Sequence, residues 1–304
     1  MTKRFTKTTL ICAIAMEAVL AGPASGQELN TLKNINATST ITIGHRDVSM
    51  PFSYFDDKKQ AVGYSIDLCL KIIDAIKTTQ KLKQLNVKWL PVSAATRIPL
   101  LANGTVDMEC GATTNTVERQ QQVSFALTTF VASTRMASKK SDNLKTLEAL
   151  KGKSVVAVAG TTNLRQITEI NAQRKLGLTI LPIKHHNDAF GMLAKGTASA
   201  FVSDDILLYG IIAGSGAPDD YEVSAEPLSV EPYGIMLRKD DAALKKIADD
   251  AIRALFKSGE IQQIYAKWFL SPVPPANTKL NIPMSAALKK VIATPTDSGN
   301  PGDY

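Results

Sequence analysis

Leu101-Ala102-Asn103-Gly104-Thr105 and Leu193-Ala194-Lys195-Gly196-Thr197 are near-copies of one another within one chain of 304 residues. In each, an apolar helical run is stopped by a glycine, the residue best able to take the left-handed turn at a helix C-terminus. In each, a strand follows: Val106 to Cys110 in the first, Ala198 to Val202 in the second. Eight residues after each glycine lies the strand's end, at Ala112 and at Asp204. The echo predicts two similar lobes that present strand ends to a common crevice, the place where open α/β sheets bind ligands.

The chain around these segments keeps the same grammar. Ile41-Thr42-Ile43 begins a strand. The next helix takes Ser65 as its N-cap and carries Ile66, Cys69, Leu70, Ile73 and Ile76 on one apolar stripe. Val87 to Val92 reads as a strand, and a helix opens near Arg97 with Pro99 tolerated in its first turn. Val106, Met108 and Cys110 then alternate with Asp107 and Glu109. Later, Val155 to Val158 is a strand, Gly160-Thr161-Thr162 turns into a helix, and Leu178 to Ile183 is the next strand. Such alternation argues for an α/β fold. Strand Tyr233 to Leu237 precedes a helix from Asp241 to Lys257, with Leu244, Ile247, Ala251 and Leu255 on its stripe. A further helix carries Ile261, Ile264, Tyr265 and Trp268, until Ser271-Pro272-Val273-Pro274-Pro275 breaks the pattern. Residues 27–38 read as a loose leader, and the tail to Tyr304 as only partly ordered.

This length suits two domains of about 100–150 residues each. The first 26 residues read as a secretory signal cleaved near Gly26: Lys3, Arg4 and Lys7, an apolar stretch from Leu10 to Leu20 interrupted by Glu17, then Ala24-Ser25-Gly26. Cys12 lacks the small residues that precede a lipid-modified cysteine, so a soluble exported protein is expected. Removal of that segment lowers the formal charge from +7 to +5. The densest basic stretch, Lys77 to Lys88, has few aromatics and reads as a solvated helix face, so no nucleic-acid partner is expected. The remaining cysteines, Cys69 and Cys110, either pair in an oxidising compartment or stay as two buried thiols.

Signatures of catalysis are scarce. His185 and His186 are adjacent and cannot share a helix face as metal ligands, and no Cys-x-x-Cys, nucleophile-elbow or phosphate-loop pattern occurs. No catalytic residue, metal or cofactor is expected. What the sequence does offer is a set of ionic residues at strand ends: Arg46, Arg97 at a helix entry, His186 and Asp204, with Thr161 and Thr162 in a strand-to-helix turn. Arginine forks onto a carboxylate, a helix N-terminus adds backbone donors, and an aspartate suits an ammonium group. Together they suit a zwitterion with one extra negative charge. Each also has a plainer use: surface ion pairs for the arginines, helix caps for Asp204 and the threonines.

Gly44-His45-Arg46, Pro51-Phe52-Ser53-Tyr54, Arg97-Ile98-Pro99-Leu100-Leu101, Glu109-Cys110-Gly111, Thr113-Thr114-Asn115, Val117-Glu118-Arg119-Gln120, Gly160-Thr161-Thr162, Asp204-Asp205 and Tyr233-Gly234-Ile235-Met236 occur in this order. They resemble the periplasmic amino-acid-binding proteins of ABC importers, and within them the glutamate/aspartate-binding group, over roughly Thr40 to Pro275. The resemblance implies a type II periplasmic binding fold with two β-strand hinge crossings. Its parts would be a signal (1–26), a first lobe (27–128 and 230–272), a second lobe (129–229) and a C-terminal extension (273–304). It implies that Arg97 clamps an α-carboxylate, Thr114 and Thr162 support it, Asp204 accepts from the α-ammonium, and Arg46 and His186 face a side-chain carboxylate. Ala112, Arg119 and Thr161 belong to the same implied site. It further implies a monomer that delivers glutamate or aspartate to a membrane permease. Ala94 and Ala112 depart from the serines usual in the group. Ser93 is the neighbouring hydroxyl that would substitute, and a neutral amino acid becomes the competing choice of ligand. An exported enzyme on the same scaffold, of the cyclohexadienyl dehydratase kind, and a ligand-sensing receptor module are the competing functions.

Overall fold

A computed structural model describes residues 1–2 and 30–304. The segment read as a secretory signal lies almost wholly outside the described residues. Two five-stranded sheets dominate. In the first, Thr40–His45 sits between parallel neighbours Asn86–Pro91 and Met108–Cys110, and Met236–Arg238 and Val123–Phe125 continue the sheet antiparallel to their neighbours. In the second, Ser154–Val158 sits between parallel Thr179–Ile183 and Ala200–Asp204, and Thr134–Lys139 and Tyr221–Val223 follow antiparallel. The plan is the same twice. The quoted echo is its local sign: helices Arg97–Ala102 and His186–Ala194 both end two residues before a left-handed glycine, Gly104 at φ 82° and Gly196 at φ 73°.

The sheets are joined by two strands that pair with each other, Phe130–Ala132 and Glu231–Tyr233, in antiparallel register with Tyr233 opposite Phe130. Each lobe has its own apolar core. Ile41, Ile43, Leu68, Ile72 and Ile252 pack in the first; Val155, Ala157, Ile167 and Val202 pack in the second.

Several expectations need correction. Helix Tyr64–Thr79 is preceded by Gly63 as N-cap, and Ser65 lies inside it with its Oγ donating to Gly111 O at 2.8 Å. Leu70 is exposed, because the helix meets both the sheet and helix Ala242–Ser258, which bury Leu68 and Ile72 instead. Glu109 is fully buried, since its strand is central in the sheet and covered on both faces. The leader is not loose: Thr31–Thr38 is a helix capped by Asn30, with Leu32 and Ile35 in the first core and Thr31 held by Arg238 Nη1 at 2.8 Å. Nor is the tail. Helix Ala286–Ala293 buries Leu288 and Val291. The last residues lie on the first lobe through Asn115 Nδ2 to Asp297 O (2.8 Å) and Thr128 N to Thr296 O (2.8 Å). Of the two states left open for the cysteines, Cys69 and Cys110 adopt the bonded one.

Candidate functional site

The C-terminal ends of both parallel strand sets face one narrow cavity between the lobes. From the first lobe come Arg46, one residue past Thr40–His45, Arg97 at the first position of its helix, and Ala112 and Thr114 beyond Met108–Cys110. From the second come Thr161 and Thr162 at the start of helix Thr162–Arg174, His186 at the start of helix His186–Ala194, and Asp204 at the end of Ala200–Asp204. Ser49, Asn163 and Leu207 complete the wall and were not singled out from the sequence. Arg119 stands behind it. Its Nη1 donates to Thr114 O at 2.8 Å and its Nη2 to Gly160 O at 3.2 Å, so it ties the two lobes together.

The cationic side is buried and poorly neutralised. Arg46 is 2% exposed, and its Nε and Nη2 have no hydrogen-bond partner. Arg97 Nη1 donates to Ala112 O at 3.2 Å and to Thr113 Oγ1, while its Nε is unpartnered. Among the described residues, no carboxylate stands within ion-pair distance of Arg46, Arg97 or Arg119. Burial, followed by the charge of Arg97, lowers the Arg46 guanidinium to about 10 and that of Arg119 to about 9. Burial also lowers Arg97, opposed chiefly by Glu109. His186 is pushed down to about 3 by burial and by Arg46 and Arg97, so its ring is neutral, with Nδ1 unpartnered. A buried polar group without a partner from the protein is costly, so each of these donors has hydrogen-bonding capacity left for an acceptor from outside the chain.

Across the cavity, Asp204 is the N-terminal flanking residue of helix Asp205–Ala213, yet its side chain does not cap it. Oδ1 accepts from Asn163 Nδ2 at 2.7 Å, and Oδ2 accepts from the Tyr233 hydroxyl. Burial and the charge of Glu231 raise its pKa. Thr161 does cap, accepting from Leu164 N at 3.2 Å, while Thr162 Oγ1 donates to Glu231 Oε2 at 2.8 Å. Thr162 and Thr114 meet across the cleft at 3.5 Å. The two departures from the group's pattern take different places. Ala112 offers its carbonyl to Arg97, and Ala94 packs among second-lobe residues including Val158. Ser93 makes no substitute, because its hydroxyl is exposed and bonded to Thr96 Oγ1 at 2.9 Å.

The family pattern described as bacterial extracellular solute-binding proteins, family 3, matches residues 41–271. The chain belongs to this family. Its relatives are consistent in kind. The L-glutamate/L-aspartate-binding protein of Pseudomonas aeruginosa is 49% identical over 95% of this chain and 96% of its own length. The glutamate/aspartate import solute-binding protein of Escherichia coli is 42% identical over 95% of this chain and 96% of its own. Among solved structures, an ancestral arginine-binding protein bound to arginine superposes with a TM-score of 0.68 at 29% identity, covering 76% of this chain and 98% of that one. These relatives carry the names of binding proteins and not of enzymes, so the solute-binding family member is two-lobed, α/β and non-catalytic in kind. In it, Asn163, Glu231 and Tyr233 are the site groups that sequence reasoning missed, and Glu109 figures there only as an acid or base for the competing enzyme reading.

Proposed function

We propose that this solute-binding protein captures L-glutamate or L-aspartate between its lobes and delivers it, as an exported periplasmic monomer, to the membrane permease of an ABC importer. The observation that carries the reading is Arg46, a buried guanidinium on the cavity wall whose Nε and Nη2 have no partner. An α-carboxylate and an α-ammonium would satisfy Arg97 and Asp204 and leave Arg46 still short of an acceptor. A second, side-chain carboxylate supplies it. The names of the relatives at 49% and 42% identity agree with that chemistry.

In this reading Arg97 forks onto the α-carboxylate, with the Thr114 hydroxyl donating beside it, while Thr162, its hydroxyl given to Glu231, supports the grip through the free backbone donors at the start of helix Thr162–Arg174. Asp204, oriented by Asn163 and Tyr233, takes the ammonium. His186, neutral, faces the side-chain carboxylate beside Arg46. Arg119 latches the closed cleft, and Ala112 and Thr161 hold the clamp and the helix start. The ligand stabilises the closed arrangement of two lobes that hinge on the paired crossings.

Calorimetry on variants tests the assignment. Charge-assisted hydrogen bonds contribute about 1.5–3 kcal/mol each, so Arg97→Ala is expected to weaken every amino-acid ligand by at least roughly a hundredfold. Arg46→Ala is expected to weaken glutamate and aspartate by at least roughly tenfold and glutamine far less. Equal losses for glutamate and glutamine would remove the case for an acidic ligand.

A further inference from the structure

Glu109 takes no part in the grip described above, yet it is fully buried beside it. Its Oε2 accepts from Thr113 Oγ1 at 2.8 Å, and the same hydroxyl accepts from Arg97 Nη1. The carboxylate therefore reaches the clamp arginine through a single hydroxyl. Its Oε1 is buried with no hydrogen-bond partner. A Cβ placed on Gly111 would lie 2.2 Å from Glu109 Oε1 and 3.0 Å from Arg46 Cγ, so the carboxylate and the Arg46 stem crowd the same bare glycine. Each of Arg46, Arg97 and Arg119 feels its charge.

Packing alone does not account for a carboxylate at this position. A buried charge is expensive to desolvate, and glutamine has nearly the same shape without that cost. The charge must therefore act on something, and the groups within reach are guanidiniums that repel one another.

We infer that Glu109 is the resident counter-charge of the empty site, a positioning residue that offsets the repulsion between Arg46 and Arg97 and competes with the ligand's carboxylates for them. The inference rests on the acidic-ligand reading given above. In the empty protein Glu109 holds the two arginines together. In the liganded protein the same negative charge works against the incoming anion, and more against a ligand with two carboxylates than against one. Glu109 thereby moderates affinity and narrows the gap between acidic and neutral side chains, which keeps the grip loose enough for release.

Glu109→Gln separates these effects because it keeps the shape and removes the charge. Wild type and variant are compared by thermal unfolding without ligand and by calorimetry with glutamate and with glutamine. The expected result has three parts: a lower melting temperature for the empty variant, glutamate bound at least roughly threefold tighter, and a smaller gain for glutamine. Affinities for both ligands that fall alike would show that the carboxylate only shapes the pocket through Thr113, and unchanged affinities would equally overturn the inference. Should the glutamine variant fail to fold, Glu109→Asp draws the charge back by one methylene and is expected to shift both quantities the same way by less. A wild type that binds neither acidic amino acid sinks the functional reading. A wild type that binds glutamate, with variants that bind it no tighter, sinks the counter-charge alone.

Discussion

Asp204 is held between two opposed demands. Burial and the nearby charge of Glu231 raise its pKa, whereas an ammonium group needs it ionised. The ligand's positive charge pulls the pKa back down, so the complex binds fewer protons than the empty protein. Linkage then requires tighter binding as pH rises, and a loss of affinity as pH falls through the raised pKa of the empty state. Calorimetry in two buffers of different ionisation enthalpy is expected to show proton release, and Asp204→Asn to abolish it with a loss of about 1.5–3 kcal/mol. His186 does not blur the result, because its ring is already neutral far above the value of about 3 to which burial and the arginines push it. The legibility of the site follows from the same chemistry. Arg46, Arg97, His186 and Asp204 stand out in the sequence because both signs of charge gather at strand ends of the two halves, although ion pairs and helix caps are ready uses for each of them singly. Glu109 does not, because a carboxylate alternating with apolar residues imitates a solvent-facing strand, and only the covering of both sheet faces shows otherwise. Glu231 and Tyr233 belong to a crossing strand whose pairing with Phe130–Ala132 is remote in sequence.

At the scale of elements, the turn that leads from Ser154–Val158 into helix Thr162–Arg174 does two jobs. Gly160, at φ 80°, lets the chain reverse so that Thr161 caps the helix. It also lies on the seam between lobes, where an added Cβ would stand 2.7 Å from Ala95 Cα. Gly160→Ala should therefore cost stability of about 1 kcal/mol from the left-handed backbone. It should also block closure, weakening the ligand by more than that strain accounts for. Unfolding and binding measured on the same variant check this; a binding loss no larger than the stability loss would contradict it. The major elements were legible because their helices and strands follow clear periods and the Gly104 and Gly196 stops are unambiguous. The helices Thr31–Thr38 and Ala286–Ala293 were not, since eight residues hold only two turns and their apolar positions pair with residues far along the chain.

For the whole molecule, two copies of one sheet plan meet at their strand ends, joined by paired crossings and bridged across the cleft by Arg119 and by the ion pair of Arg165 with Glu118 at 3.6 Å. The Cys69–Cys110 bond fixes helix Tyr64–Thr79 to the strand that carries Glu109 and leads to Ala112 and Thr114. The tail runs past the hinge on the first lobe, with the Tyr304 hydroxyl 2.7 Å from Thr128 Oγ1. In the proposed function, the lobe braced in this way is the one against which the other closes over its guest. The central claim is that the guest is an amino acid with two carboxylates. It is reached most directly by thermal unfolding of the protein against each of the common L-amino acids at equal concentration. Because a ligand that binds only the folded state adds about 4 kcal/mol at a thousand times its dissociation constant, glutamate and aspartate are expected to raise the melting temperature by several degrees and the others by little. A panel in which a neutral or basic amino acid gives the largest rise, or in which none gives any, would contradict the account.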